Sequence, residues 1–197
     1  MLQLFSIIFG GVQLVLLVDC CVKGKNSSTL KFCNAFISKQ NYKDDVVRLN
    51  LESLSLKPFD SDMLNKRNCL LEKGDFSDIM FDLAKQFISA DKIIIAAPFW
   101  DLSFPSLLKV YFEHISVTGL TFGYTESGVK GFCKADEMLY FSTCGGFTGG
   151  KHLGYEYASS LLKIYGIENS RLYNIEGLDI DPNKREEILN KAIENIR

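Results

Sequence analysis

No Cys-x-x-Cys pair occurs in this chain, and its two histidines, His114 and His152, stand far from any grouping of its six cysteines. A zinc site needs four such ligands at short spacing, so the sequence argues against one. A long basic run is also missing. With a formal net charge of −2, the chain lacks the electrostatic footprint of a nucleic-acid binder. The dinucleotide fingerprint G-x-G-x-x-G is absent, as are an evident acid–base triad, internal repeats and low-complexity segments. The cysteines (Cys20, Cys21, Cys33, Cys69, Cys133 and Cys144) suit a reduced protein better than a disulfide framework in a chain of 197 residues, so a cytoplasmic location is expected.

The one long apolar run, residues 1–18, lacks a basic flank before it and a small-residue cleavage site after it, and Gly10, Gly11 and Gln13 interrupt it. Residues 1–12 read as an unexplained apolar extension and not as a membrane span; residues 13–197 read as one domain with a core of its own.

Within that domain, apolar runs of strand length alternate with helical periodicities. Strands are expected at 13–18, 45–51, 92–98, 137–143 and 171–177. Helices are expected at 26–39, 75–91, 105–116, 152–166 and 181–196. Leu30, Cys33, Phe36 and Ile37 share one face of the first helix; Phe76, Ile79, Met80, Leu83 and Phe87 form the inward face of the second. Stretches 52–74 and 119–136 read as irregular and as a long loop. Five strands separated by helices indicate an α/β fold with a parallel sheet, doubly wound by right-handed crossovers with helices on both faces. Ligands of such sheets bind beyond the carboxyl ends of the strands, which directs attention to the loops "DCCVKGKNSST", "PFWDLSFP" and "TCGGFTGG".

The first loop ends in Asn26, Ser27, Ser28 and Thr29 at a helix start, with Lys23 and Lys25 nearby. Hydroxyls there either cap the helix or, with the free amides, hold one phosphate. The third loop holds "GGFTGGKH", the beginning of a nucleotide-triphosphate loop, but His152 stands where a magnesium-binding hydroxyl is required. Its glycines serve either as a plain turn or for close approach of a planar ligand. Phe99 and Trp100 sit where a strand hands over to the second loop. A flat heteroaromatic monophosphate such as flavin mononucleotide (FMN) matches all three loops together.

At these residues the chain resembles the FMN-dependent NADH:quinone oxidoreductases and azoreductases, flavodoxin-like relatives of mammalian quinone reductase. "PFWDLSFPSLLKVYFEHI" is similar to that family's isoalloxazine loop and following helix, P-M-Y-N-F-x-[IV]-P-x-x-L-K, and "GLTFGYTESGVKGF" to its G-x-T-F-x-Y-T-x-x-G-x-x-G-L stretch. Cys21 with Ser27, Ser28 and Thr29 matches S-x5-S-x-S, and "TCGG" stands where S-R-G-G stands. The resemblance implies a flavodoxin-like sheet of order 2-1-3-4-5 and an FMN site built from Cys21, Ser27, Ser28, Thr29, Pro98, Phe99, Trp100, Asp101, Leu102, Thr143, Cys144, Gly145 and Gly146.

It further implies NADH or NADPH as donor, quinones and azo compounds as acceptors, two half-reactions at the flavin N5 with no catalytic side chain, and a homodimer with the flavin at the subunit boundary. Phe122 and Tyr124 then cover the flavin's open face as substrate-binding residues, or serve as core or dimer contacts. The rival classes are a flavodoxin-type electron carrier, which the modest charge and the "TFGYT" stretch disfavour, and an α/β domain without cofactor. Three positions depart from the family pattern. Cys21 replaces Ser and Cys144 a basic or neutral residue. Asp101 replaces Asn, placing a carboxylate beside the ring, and a lowered reduction potential is expected.

Overall fold

The structure, a computed structural model, describes residues 14–40, 42 and 45–196. The apolar extension at 1–12 lies outside them. Val15–Asp19 (β1), Val46–Asn50 (β2), Lys92–Ala96 (β3), Glu137–Thr143 (β6) and Asn169–Ile175 (β7) form one parallel sheet of order β2-β1-β3-β6-β7. This is the expected 2-1-3-4-5 arrangement once the hairpin strands β4 and β5 are set aside. Registers are in line at the centre: Leu17 faces Arg48 on one side and Ile94 on the other, and Ile94 faces Leu139.

β1 is buried along its whole length, as its unbroken apolar run requires of a central parallel strand. Alternate strand residues divide between two apolar clusters. Leu16, Val18, Ile93, Ile95, Met138 and Tyr140 pack with residues of Asp82–Ser89 (α3), Ser106–Ile115 (α4) and Leu153–Ile164 (α5). Val15, Leu17, Ile94, Ala96, Leu139 and Phe141 pack with Ser28–Lys39 (α1) and Arg185–Asn195 (α6). Each fully buried Leu, Ile or Phe contributes about 1.5–3 kcal/mol, which makes these clusters the main stabilisers of the layers.

α1 and α6 lie side by side and run in the same direction. Lys31 meets Glu186 at their beginnings, and Lys39 Nζ donates to the Ile193 and Glu194 carbonyls at their ends. Both helices therefore start at the same edge of the molecule, the one where β1, β3 and β6 end.

Three expectations need correction. The stretch read as irregular contains a helix, Ser61–Glu72 (α2), whose start is capped by Asp60 Oδ1 accepting from the Met63 amide at 2.8 Å. None of its residues is fully buried; Leu70 and Leu71 pack only partly against the core, which leaves a weak apolar stripe. The helix expected over 75–91 is α-helical only from Asp82. Asp75 and Asp78 side chains accept the Ser77 and Met80 amides and hold the chain in turns before it. Ile79, expected inward, is consequently 74% exposed. The long loop contains a hairpin, Phe122–Thr125 (β4) and Gly128–Gly131 (β5). Among the described residues no helix is long and apolar enough to cross a membrane.

Candidate active site

The three loops singled out in the sequence meet at the carboxyl edge of the sheet. Ser27 ends in extended backbone and caps α1: its hydroxyl accepts from the Leu30 amide at 3.3 Å while its carbonyl accepts from Lys31 at 3.0 Å. The amides of Ser28 and Thr29, at the start of the helix, have no intrahelical acceptor and carry its positive partial charge. Thr29 is 1% exposed, and its hydroxyl bonds that of Thr143 at 2.7 Å, tying the first loop to the end of β6.

The second loop is stitched to the third by the Phe99 amide donating to the Thr143 carbonyl at 3.2 Å. It then reverses in two residues. Trp100 and Ser103 exchange both backbone hydrogen bonds, at 3.2 and 2.7 Å, across Asp101 (φ 49°) and Leu102 (φ 65°). Positive φ at both central positions is the primed hairpin turn. Asp tolerates it; Leu does so at a cost of order 1–3 kcal/mol, a strain typical of ligand-holding loops. The turn leaves Trp100 43% exposed. The third loop is braced by the exit of β7: Leu178 and Asp179 amides donate to the Cys144 and Gly145 carbonyls at 3.1 and 2.9 Å. A Cβ on Gly145 would collide with the Asp179 carboxylate, whereas a Cβ on Gly146 would meet open space.

Between these loops lies a cleft of about 180 Å³. Ser27, Ser28 and Thr29 from the first loop line it together with Pro98, Phe99, Trp100, Thr143, Cys144 and Gly145 from the other two. A helix start able to hold an anion thus opens into a cleft bordered by aromatic rings and glycine backbone.

The family model described as the flavodoxin-like fold matches residues 14–197. The FMN-dependent NADH:quinone oxidoreductase of Trichlorobacter lovleyi is 31% identical over 93% of this chain and 96% of its own. The chain belongs to the FMN-dependent NADH:quinone oxidoreductase family. Its relative of that type in Clostridium acetobutylicum is 34% identical over 87% of this chain and 89% of its own. An azoreductase from Bacillus anthracis shares the fold, with a TM-score of 0.79 at 24% identity over 93% of this chain and 96% of its own. Azoreductase AzrA superposes with a TM-score of 0.77 at 26% identity over 92% of this chain and 96% of its own.

Not every residue expected in this family member's site lines the cleft. Cys21 is buried beneath it. Its thiol donates to the Ala96 carbonyl at 3.5 Å, and its amide donates to Asp19 Oδ1 at 2.9 Å. Burial pushes its pKa far up, so it is a neutral thiol committed to the backbone. Asp19 in turn accepts from Arg48 Nε at 2.9 Å, which holds the exit of β1 in place. Asp101, Leu102 and Gly146 flank the cleft in sequence without lining it. Phe122 stacks on Tyr165 at 6.0 Å and Tyr124 is 74% exposed; neither reaches the cleft.

Cys144 lines it, with its thiol donating to Asn174 Oδ1 at 3.3 Å and its pKa raised to about 11 by burial. Lining residues not assigned from the sequence are Val22, Asn26, Leu178, Asp179 and Arg185, together with Lys23, which had been noted only for its charge. Leu178 and Asp179 come from the β7–α6 connection and Arg185 from the start of α6, on the same sheet edge.

His152 lies behind the aromatic wall, edge-on to Phe99 at 4.9 Å and to Tyr140 at 5.5 Å. Its Nδ1 accepts from the Tyr155 amide at 3.0 Å and caps α5, so the neutral ring carries its proton on Nε2. Nε2 is buried without a partner among the described residues. Burial lowers the His152 pKa from 6.5, against the opposing pull of Glu176 and Glu156. Below pH 6.5 the unfolded chain then takes up a proton that the folded chain refuses, so stability falls on acidification. The melting temperature is expected to drop as pH goes from 7 to 5.5, and less steeply in His152→Asn, which keeps a capping side chain; equal slopes would contradict this.

Proposed function

We propose that this protein is an FMN-dependent oxidoreductase that passes two electrons from NADH or NADPH to quinones, with azo compounds as a further acceptor class, the two substrates taking turns in one place. The observation that carries this reading is the single cleft joining the start of α1 to the Phe99–Trp100 wall and the Gly145 backbone. The residues fit a flavin monophosphate. Amides of Ser28 and Thr29 and the hydroxyls around them would take the phosphate, with Lys23 adding positive field. The backbone of 99–102 would hydrogen-bond the ring's edge, and Gly145 and Gly146 would let main chain approach its plane. FMN, when bound, supplies two-electron chemistry at N5.

The chain's own part is orientation. Pro98 and the strained turn at Asp101–Leu102 fix the wall, Thr143 ties it to the phosphate end, and Trp100, partly exposed, offers a face on which a flat donor or acceptor can lie. Exposed Leu102, Phe147 and Ile180 on the loops bordering the cleft support a homodimer in which a second copy closes the site, with Tyr124 free to contact that copy or the substrate. The two strand-sharing clusters support a doubly wound sheet in a single domain over 13–197.

The test is NADH oxidation by FMN-loaded protein with a simple quinone and no partner reductase. Turnover is expected, with parallel-line kinetics in the two substrates. A yellow protein that consumes no NADH would instead be a carrier, and a protein that stays colourless in FMN would refute the reading. For Asp101→Asn, whose side chain also tolerates positive φ, the holoprotein's reduction potential is expected to rise as a negative charge near the ring is removed. An unchanged or lower potential by redox titration would place Asp101 outside the electrostatic reach of the ring.

A further inference from the structure

Arg185, the first residue of α6, reaches across the cleft. Its Nη1 donates to Asp179 Oδ1 at 2.6 Å and its Nη2 to Ser28 Oγ at 3.3 Å, so one guanidinium bridges the β7–α6 connection and the first turn of α1. All three residues line the cleft. The pairing has little to offer stability, because both partners are substantially exposed, at 39% and 64%, and solvent screens such ion pairs. It has a clear electrostatic consequence. Asp179 places a carboxylate over Gly145, within the site that is to receive a dianion, and Arg185 is the charge that masks it.

A guanidinium has five N–H donors in a rigid fork suited to phosphate; Arg185 directs one to the Asp179 carboxylate and one to a hydroxyl at the expected phosphate position. Because α1 and α6 are parallel neighbours, the starts of both helices converge on that position.

We propose that Arg185 is a ligand of the cofactor's phosphate, held ready by Asp179 and Ser28 and turned onto the phosphate when it binds. The proposal rests on the FMN reading above. It makes the C-terminal helix part of the cofactor site, and it makes discrimination between FMN and the phosphate-free flavin depend on a residue outside the first loop.

The experiment is titration of flavin-free protein with FMN and with riboflavin, read by flavin fluorescence. In Arg185→Ala, FMN affinity is expected to fall roughly 10- to 100-fold, the loss of a charge-assisted hydrogen bond, with riboflavin affinity unchanged. Arg185→Lys, which keeps the charge without the fork, is expected to fall between the two, and it decides by the same ratio should the alanine variant fail to fold. Asp179→Asn is expected to bind FMN at least as tightly as the parent. Equal losses for FMN and riboflavin in Arg185→Ala, or no loss for either, would overturn the proposal, as would a phosphate-specific loss in Asp179→Asn. A parent protein that binds neither flavin would instead defeat the functional reading itself.

Discussion

Ser27→Asp is expected to leave the protein folded and to weaken FMN binding by about a thousandfold. Aspartate caps a helix as well as serine does, so the bond from the Leu30 amide to the capping oxygen survives. Its charge at the positive end of α1 adds about 0.3–1 kcal/mol of stability. The same charge stands a few ångströms from the proposed phosphate position, where two like unit charges repel by about 4 kcal/mol at an effective dielectric of 20, or roughly a thousandfold in affinity. Stability and binding thus move in opposite directions, which a general structural defect cannot produce. Ser27→Ala provides the contrast: it loses the cap, about 1 kcal/mol, without adding a charge. Thermal melts and flavin titrations of the two variants check both signs. Parental FMN affinity in Ser27→Asp would mean that the phosphate is held elsewhere.

Gly131→Ala is expected to destabilise the fold by about 3 kcal/mol, the upper end of what overpacking costs. Gly131 closes the hairpin opposite Phe122, and a Cβ there would fall on the backbone of Tyr165 and Gly166 at the end of α5. No rotamer relieves a clash with main chain. The neighbouring bond, from the Cys133 amide to the Tyr165 carbonyl at 3.0 Å, fixes the same approach and would have to lengthen. In a chain of this size the loss corresponds to a melting temperature roughly 6–12 °C lower. Lys130→Ala, on the exposed side of the same strand, is the control and is expected to change little. A melting temperature within 1 °C or so of the parent's would show that the hairpin can lift away from α5 at small cost.

The hairpin also marks the limit of what the sequence discloses. The central sheet strands were legible because a parallel strand buried on both faces is almost wholly apolar, as in Val15–Asp19 and Lys92–Ala96, while the half-exposed edge strands β2 and β7 showed through their β-branched and aromatic residues. The hairpin strands carry Gly123, Gly128 and Gly131 and are largely exposed, so no alternation announces them. Helix α2 is faint in the sequence for a similar reason, since it buries only parts of residues such as Leu70 and Leu71. In the candidate site, Ser27, Thr29, Phe99, Trp100 and Gly145 could be picked out as cleft residues because they lie on loops that leave the carboxyl ends of the strands. Cys21 matched a motif position, yet its thiol turns to the Ala96 carbonyl; a motif marks backbone placement and leaves side-chain direction open. Asp179 and Arg185 belong to no motif. They enter the cleft through a tertiary relation, the parallel packing of α1 on α6, that no local pattern encodes.

The most direct measurement is a crystal structure of the protein with FMN. The phosphate is expected within hydrogen-bond distance of the Ser28 and Thr29 amides, with the ring resting between Trp100 and the Gly145–Gly146 backbone. A phosphate bound away from the start of α1, or a cleft closed by its own side chains with FMN excluded, would contradict the central claim.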